Sequence, residues 1–387
     1  MNPSAAYDLS PVLHLLLVGA ALALGPLLWV WWRNRLAAPM RGLHSLTLLT
    51  LFLSFDLVLF GAFTRLSDSG LGCPDWPGCY GNASPIGALA QIASAQAALP
   101  TGPVTHDKAW IEMVHRYFAT GLGALLVVLT VLSWRVALRA GRQVVLSPWW
   151  ATLTLVWICV QGAFGALTVS MRLYPAVVTL HLLGGIVLLV LLCLQVVRHG
   201  QLRSGALRTA LQPRLRALLW LACALAGLQV ALGGWVSTNY AVLACSEFPL
   251  CQGSLSPQMD FAQGFQIWRE LGLTADGQQI GFAALTAIHM AHRLTALPLL
   301  AVLGVLAWRL HASAATRVQA RWLVGLLLLQ FATGLANVVL NWPLLAALGH
   351  TGGAAALGLV LTWLVATTRG ARAATAPSAS SAPVAGP

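Results

Sequence analysis

The sequence predicts an all-α polytopic membrane protein built as two parallel, tandem four-helix transmembrane bundles with one extra transmembrane helix in front. Three observations carry this. Hydrophobic residues make up 58% of the 387 positions and charged residues only 8%, where a soluble domain carries about 25% charged. Apolar runs long enough to cross a bilayer recur nine times. The last eight of them fall into two sets of four whose motifs repeat in order. A soluble globular enzyme and a disordered chain are thereby excluded.

The spans are read in order at about 12–32, 43–64, 109–134, 149–170, 175–197, 215–236, 284–308, 321–341 and 343–367; ~20 apolar residues suffice to cross the hydrocarbon core. The first has no basic residue before it and Arg33 and Arg35 after it, so it reads as an added helix rather than a signal peptide. The last two spans are separated by little more than Asn341-Trp342-Pro343, which predicts a tight helical hairpin. The expected divisions are 1–42 (extra helix and linker), 43–200 and 201–368 (the two halves), and 369–387, an Ala/Pro/Ser-rich disordered tail.

Charge sets the orientation. The net charge of +12 comes from 22 Lys+Arg against 10 Asp+Glu. Of those 22, 16 lie on one side with no acid among them: Arg33, Arg35, Arg41, Arg135, Arg139, Arg142, Arg198, Arg203, Arg208, Arg214, Arg216, Arg309, Arg317, Arg321, Arg369 and Arg372. The positive-inside rule makes that side cytoplasmic. The N-terminus and the long loops 65–108 and 237–283 then face outward, and the C-terminus is cytoplasmic. The basic excess is a topology signal, and no nucleic-acid partner is expected.

The repeat has three blocks. Gly61 to Cys73 aligns with Gly233 to Cys245 without a gap, with a second cysteine six residues on (Cys79, Cys251) and a glycine two further (Gly81, Gly253). Glu112-Met-Val-His115-Arg116 aligns with His289-Met-Ala-His292-Arg293. Gln161 precedes His181 by twenty residues, as Gln330 precedes His350. Four spans is an even number, so the halves share one orientation.

Of ten histidines, His14 and His44 lie in or near the first two spans, His106 in an outer loop, and His199 and His311 in basic cytoplasmic segments where a solvated surface is expected. The other five are intramembrane: His115, His181, His289, His292 and His350. His115 and His181 each lie six residues past the start of their spans, ~9 Å below the outer end, on the second and fourth helices of the first half. His292 and His350 repeat this in the second. In an up-down-up-down bundle such helices are diagonal partners, and two imidazoles at one depth suit a haem iron with axial histidines. The alternatives are buried histidines bonded to neighbouring helices and a zinc site; for zinc, the second half offers no carboxylate at that level.

Glu112 sits one turn before His115, and its repeat counterpart is His289. A carboxylate at membrane depth beside a metal ligand is a functional candidate; an ion pair with Arg116 is the competing reading. Arg116 and Arg293 could hold haem propionates or snorkel to headgroups. Gln161 and Gln330 read as interhelical hydrogen-bond glue. Asp56 is an acid within a span with no evident partner. Cys159, Cys193 and Cys223 lie in spans as small apolar residues. Cys73/Cys79 and Cys245/Cys251 lie in outward loops, either as bracing disulfides or as redox-active pairs.

The stretch Thr64-Arg65-Leu-Ser-Asp-Ser-Gly70-Leu-Gly-Cys73-Pro-Asp-Trp-Pro-Gly-Cys79 and the Glu112-x-x-His115-Arg116 element resemble haem A synthase, in its bacterial, cysteine-pair-containing branch. The resemblance covers about 43–367. It implies oxidation of a methyl group of haem O to a formyl group by successive hydroxylations, giving haem A for terminal oxidases. It also implies His115 and His181 as substrate-haem ligands, His292 and His350 as ligands of a haem b cofactor, and Glu112 as the catalytic acid. The Cys73/Cys79 pair is implied to be linked to activity. A bacterial plasma membrane, a haem O synthase partner and an unidentified redox partner follow as expectations. The extra first helix departs from the family pattern. The rivals are a bis-His di-haem cytochrome b, a membrane thiol–quinone oxidoreductase and a transporter.

Overall fold

A computed structural model describes residues 10–141 and 144–370. Arg142, Arg372 and the tail from 371 on lie outside the described residues. Among the described residues nine helices are long and apolar enough to cross a membrane: α1 Ser10–Asn34, α2 Pro39–Leu66, α4 His106–Arg139, α5 Trp149–Ser170, α6 Pro175–Ser204, α7 Pro213–Thr238, α9 Phe282–His311, α10 Arg317–Val339 and α11 Leu344–Thr367. Two short helices, α3 Leu89–Ala98 and α8 Phe261–Gly264, sit in the long loops, where hydropathy alone gives no sign of them.

Proline opens α2, α6 and α7, where its missing N–H costs nothing and its fixed φ suits the first turn. Helix α4 starts on Thr105, whose hydroxyl accepts from the Lys108 backbone N–H at 3.3 Å. That cap sets the register of the Glu112 to Arg116 face. The α5–α6 and α10–α11 turns are built alike, with two consecutive non-glycine residues at positive φ: Arg172 and Leu173, then Asn341 and Trp342.

Packing follows the repeat. In the first set α2 packs on α4 and α6, and α5 on α4 and α6; in the second, α7 packs on α9 and α11, and α10 on α9 and α11. Between the sets, α6 meets α7, α11 meets α2, and α6 meets α11, so each inter-set contact has its repeat image. Helix α1 lies on α4 and α2. Its buried stripe of Pro11, Leu15, Gly19, Ala23 and Val30 crosses α4 closely enough that a Cβ at Gly19 would overlap Thr120. Each set has its own apolar core, one around Leu46, Leu126, Leu129 and Leu192, the other around Leu219, Leu303, Leu306 and Leu364.

Two expectations change. Arg369 and Gly370, placed in the tail, belong to a strand, β2 Thr368–Gly370, paired in parallel with β1 Thr209–Leu211; the Arg208 Nε also donates to the Thr368 carbonyl at 3.0 Å. His199, expected at a solvated surface, is 3% exposed. Helix α6 runs seven residues past the predicted end of its span, to Ser204, so this turn is still packed against its neighbours. His311 is exposed as expected.

Candidate functional site

The outer loops fold back onto the helices that carry the first histidine of each half. Cys73–Cys79 and Cys245–Cys251 are disulfides, with Cα–Cα distances of 4.9 and 4.8 Å. Each packs against the matching methionine of the helix below, Met113 or Met290. The loop backbones match residue for residue. Trp76-Pro77 and Phe248-Pro249 are both cis, and Asp68/Tyr240 and Tyr80/Gln252 share positive φ.

Arginine ties each loop down. The Arg116 Nη1 donates to the carbonyls of Asp75 at 3.0 Å, Pro77 at 3.2 Å and Gly78 at 2.5 Å. The Arg293 guanidinium donates to Leu250 at 3.0 Å, Glu247 at 2.9 Å and Cys245 at 3.2 Å. Both groups are therefore turned onto their own disulfide loops. The sequence alone leaves propionates or headgroups as partners of both; in the folded protein these donors lie on loop carbonyls.

The two halves differ at the residue beside this arginine. Glu112, 5% exposed, forms an ion pair with Arg116 and accepts from the Cys73 backbone N–H at 2.8 Å. Its counterpart His289 donates from Nδ1 to the Ala241 carbonyl at 3.0 Å and accepts at Nε2 from the Arg293 Nε at 3.0 Å. The first half thus places a buried carboxylate between a disulfide loop and the His115 helix, where the second places a neutral imidazole.

All four paired histidines rest on glycine, a feature the sequence reading missed. A Cβ at Gly61 would lie 3.1 Å from the His115 Nε2, one at Gly165 3.5 Å from the His181 Cε1, one at Gly233 3.0 Å from the His292 Cε1, and one at Gly334 3.2 Å from the His350 Cε1. Each glycine sits on the helix next to its histidine, and the pairs obey the repeat. The signal was present as glycines aligned between the halves, but only the packing shows what they face.

In the second half the His292 and His350 ring centres are 6.3 Å apart, with planes at 78°. Two imidazoles bound to one metal through nitrogens at about 2 Å have ring centres roughly 6 Å apart, so this spacing fits an axial pair. The His350 Nδ1 pairs with the Thr333 hydroxyl at 3.1 Å, which orients the ring and leaves its Nε2 for a ligand. Gln229 reaches His292, its Nε2 3.1 Å from the His292 Nδ1 and 3.0 Å from the His292 carbonyl. Among the described residues no such ring pair joins His115 to His181. His115 instead stacks on Phe60 at 6.0 Å, and the buried His181 Nδ1 has no partner among the described residues. Gln330 donates to the His350 carbonyl at 2.9 Å as interhelical glue, whereas the Gln161 Oε1 is buried without a partner. No cluster of three or more His, Cys, Asp or Glu able to hold a bare metal ion occurs among the described residues.

The halves are clasped at their outer ends. Arg65 donates to the Tyr240 hydroxyl at 2.7 Å and the Ser237 carbonyl at 2.8 Å, and its guanidinium lies 4.0 Å from the Tyr240 ring centre. Tyr240 in turn donates to Asp68; burial pushes its phenol up, which keeps the proton in place. Ser237 and Tyr240 are the repeat counterparts of Arg65 and Asp68, so the contact joins repeat images to each other.

Comparison with known proteins adds a lineage. The family model of COX15-CtaA, the cytochrome oxidase assembly proteins, matches residues 44–362. A heme A synthase of Shewanella oneidensis is 39% identical over 313 residues, covering 81% of this chain and 92% of its own. Heme A synthases of Anaplasma marginale and Halalkalibacterium halodurans are 28% and 26% identical, over 73% and 76% of the chain.

Proposed function

The chain belongs to the COX15-CtaA family of cytochrome oxidase assembly proteins, and from that premise we propose that it is a heme A synthase of a bacterial plasma membrane, oxidising a methyl group of haem O to the formyl group of haem A. The names borne by its relatives support the activity. The observation that carries it to residues is the duplicated histidine pair combined with the one-sided carboxylate, Glu112 against His289.

His292 and His350 would hold a resident haem b; their 6.3 Å separation supports this. His115 and His181 would hold the substrate, in the half whose His181 Nδ1 lacks a partner. When bound, iron supplies the oxidising chemistry that a C–H bond requires and no side chain can. The protein supplies the rest. Gly61 sets how far the His115 imidazole protrudes. Apolar helices exclude water. The buried Glu112 would accept a proton as the methyl group is oxidised, and Arg116 stabilises the carboxylate it must regenerate. The Arg116–loop contacts keep the disulfide loop closed above that step. A cytochrome b that makes no product would share the histidines but leaves the Glu112/His289 difference without a role.

Orientation follows the arginine distribution: outer loops outside, β1–β2 cytoplasmic. The test is complementation of a bacterial strain lacking its own haem A synthase, followed by extraction of the membrane haems. Haem A is expected. A well-folded chain that leaves only haem O would overturn the proposal.

A further inference from the structure

Asp56 is the residue that the histidine sites leave unexplained. It lies on α2 ten residues before Leu66, ~15 Å along the helix from its outer end, which is bilayer-centre depth. Its side chain is exposed, and among the described residues it makes no hydrogen bond or ion pair. An intramembrane carboxylate left so is costly and marks function. It opens into a cavity of about 590 Å³ between α2 and the α10–α11 pair, within the size range of small-molecule sites. Phe55, Phe60 and Phe63 form one wall, and Leu348, Gly349 and Ala356 of α11 lie along the other. Among the described residues that line it, Asp56 alone is ionisable.

The cavity borders the substrate-side histidine through one shared side chain. Phe60, one turn above Asp56 on the same face of α2, stacks on His115, and the next residue, Gly61, seats the same ring. The second half carries no equivalent carboxylate at this position. The repeat counterparts of Asp56 and Phe60 are Leu228 and Leu232, so the carboxylate belongs to one half alone.

We propose that this groove seats the isoprenoid tail of haem O, with Asp56 accepting a hydrogen bond from the tail's hydroxyl; this rests on the reading of the first half as the substrate site. Haem O carries a long isoprenoid chain with a hydroxyl on the carbon next to the macrocycle, and haem b has neither. An apolar groove with a single acceptor one helical turn from the phenylalanine that stacks on His115 matches that chain. The leucine in the other half matches a haem without it. A lipid acyl chain would fill the walls but leave Asp56 unpartnered.

The test titrates haem O and, separately, haem b into the full-length detergent-solubilised protein, followed by absorbance. Asp56→Leu removes the acceptor, and Leu329→Trp fills the groove from α10. Each is expected to weaken haem O at least tenfold, the scale of a hydrogen bond to a charged group. Haem b binding should change less than twofold, and Asp56→Asn, which still accepts, should keep most of the preference for haem O. The absorbance of the second-half haem serves as the folding control. Haem O affinity within twofold of wild type in both variants overturns the assignment. So does an equal loss for both haems, or a change confined to particle mass, which would make Asp56 a contact between copies. His115→Ala separates the two levels. If it leaves haem O binding intact, the substrate-site reading itself fails. If it abolishes binding while Asp56 and Leu329 do not matter, only the tail assignment fails.

Discussion

Replacing Gly233 with alanine adds one methyl group, and the structure says where it goes. The new Cβ would stand 3.0 Å from the His292 Cε1, against 3.4 Å for the near edge of ordinary contact, so ring or helix must give by about 0.4 Å. Overpacking of this kind costs about 1–3 kcal/mol. On the proposed assignment of His292 to haem b, a ligand must meet its metal within a few tenths of an ångström, so the displacement would fall on haem binding, with a loss of roughly 5- to 150-fold in haem b affinity expected. Helix propensity works the other way, since Gly→Ala in a helix interior favours the helix by about 0.5–1 kcal/mol. A loss of haem therefore cannot be charged to the backbone. The substrate half supplies the comparison, read as haem O binding: Gly165→Ala would place its Cβ 3.5 Å from the His181 Cε1, already ordinary contact, and should be tolerated, whereas Gly61→Ala, 3.1 Å from the His115 Nε2, should weaken haem O. The assay is the rate of haem transfer from purified protein to an excess of apo-globin, with the low-spin absorbance band as a second readout. Wild-type haem retention in Gly233→Ala, or equal loss of haem O affinity from Gly165→Ala and Gly61→Ala, would refute the view that the close glycines set the imidazole positions.

Other expectations follow from the same geometry. His292→Ala or His350→Ala should abolish a low-spin b-type absorbance while the protein still inserts; an unchanged spectrum would remove both from the cofactor site. Glu112→Gln keeps an acceptor for the Cys73 N–H but loses the charge paired with Arg116. Haem A yield should fall on the order of 100-fold with haem O still bound, measured as the haem A to haem O ratio in extracts. Arg65→Ala removes the contacts to Tyr240 and Ser237 and should lower stability by about 1–2 kcal/mol, seen as a lower melting temperature. Serines at Cys245 and Cys251 should cost about 2 kcal/mol for so short a loop with haem A yield retained; abolished yield at an unchanged melting temperature would assign that pair to electron transfer instead.

Much of this molecule was legible before folding because lipid imposes strict rules. Every backbone polar group must be satisfied within the span, so nine apolar runs could only become nine helices, and the arginines had to collect on one side. Duplication did the rest, since two copies of Gly-x₁₁-Cys and His-Arg at matched spacing identify the histidines without any geometry. Arg116 and Arg293 were visible as residues beside histidine, but not the direction of their donors. That depended on loops whose cis prolines and positive-φ turns bring carbonyls over α4 and α9. His199 was misjudged for a related reason: a basic neighbourhood signals the end of the hydrocarbon, not the end of the helix.

The amino-acid order alone determined the class, the spans, the repeat and which histidines and carboxylate are the candidates, because hydrophobicity, charge and spacing are properties of the chain. Tertiary packing decided that each imidazole rests on a glycine, that Glu112 bridges a disulfide loop to the His115 helix, and that Asp56 opens into a groove shared by both halves. Those relations join residues tens to hundreds of positions apart, and only the close approach of helices brings their atoms within reach of one another.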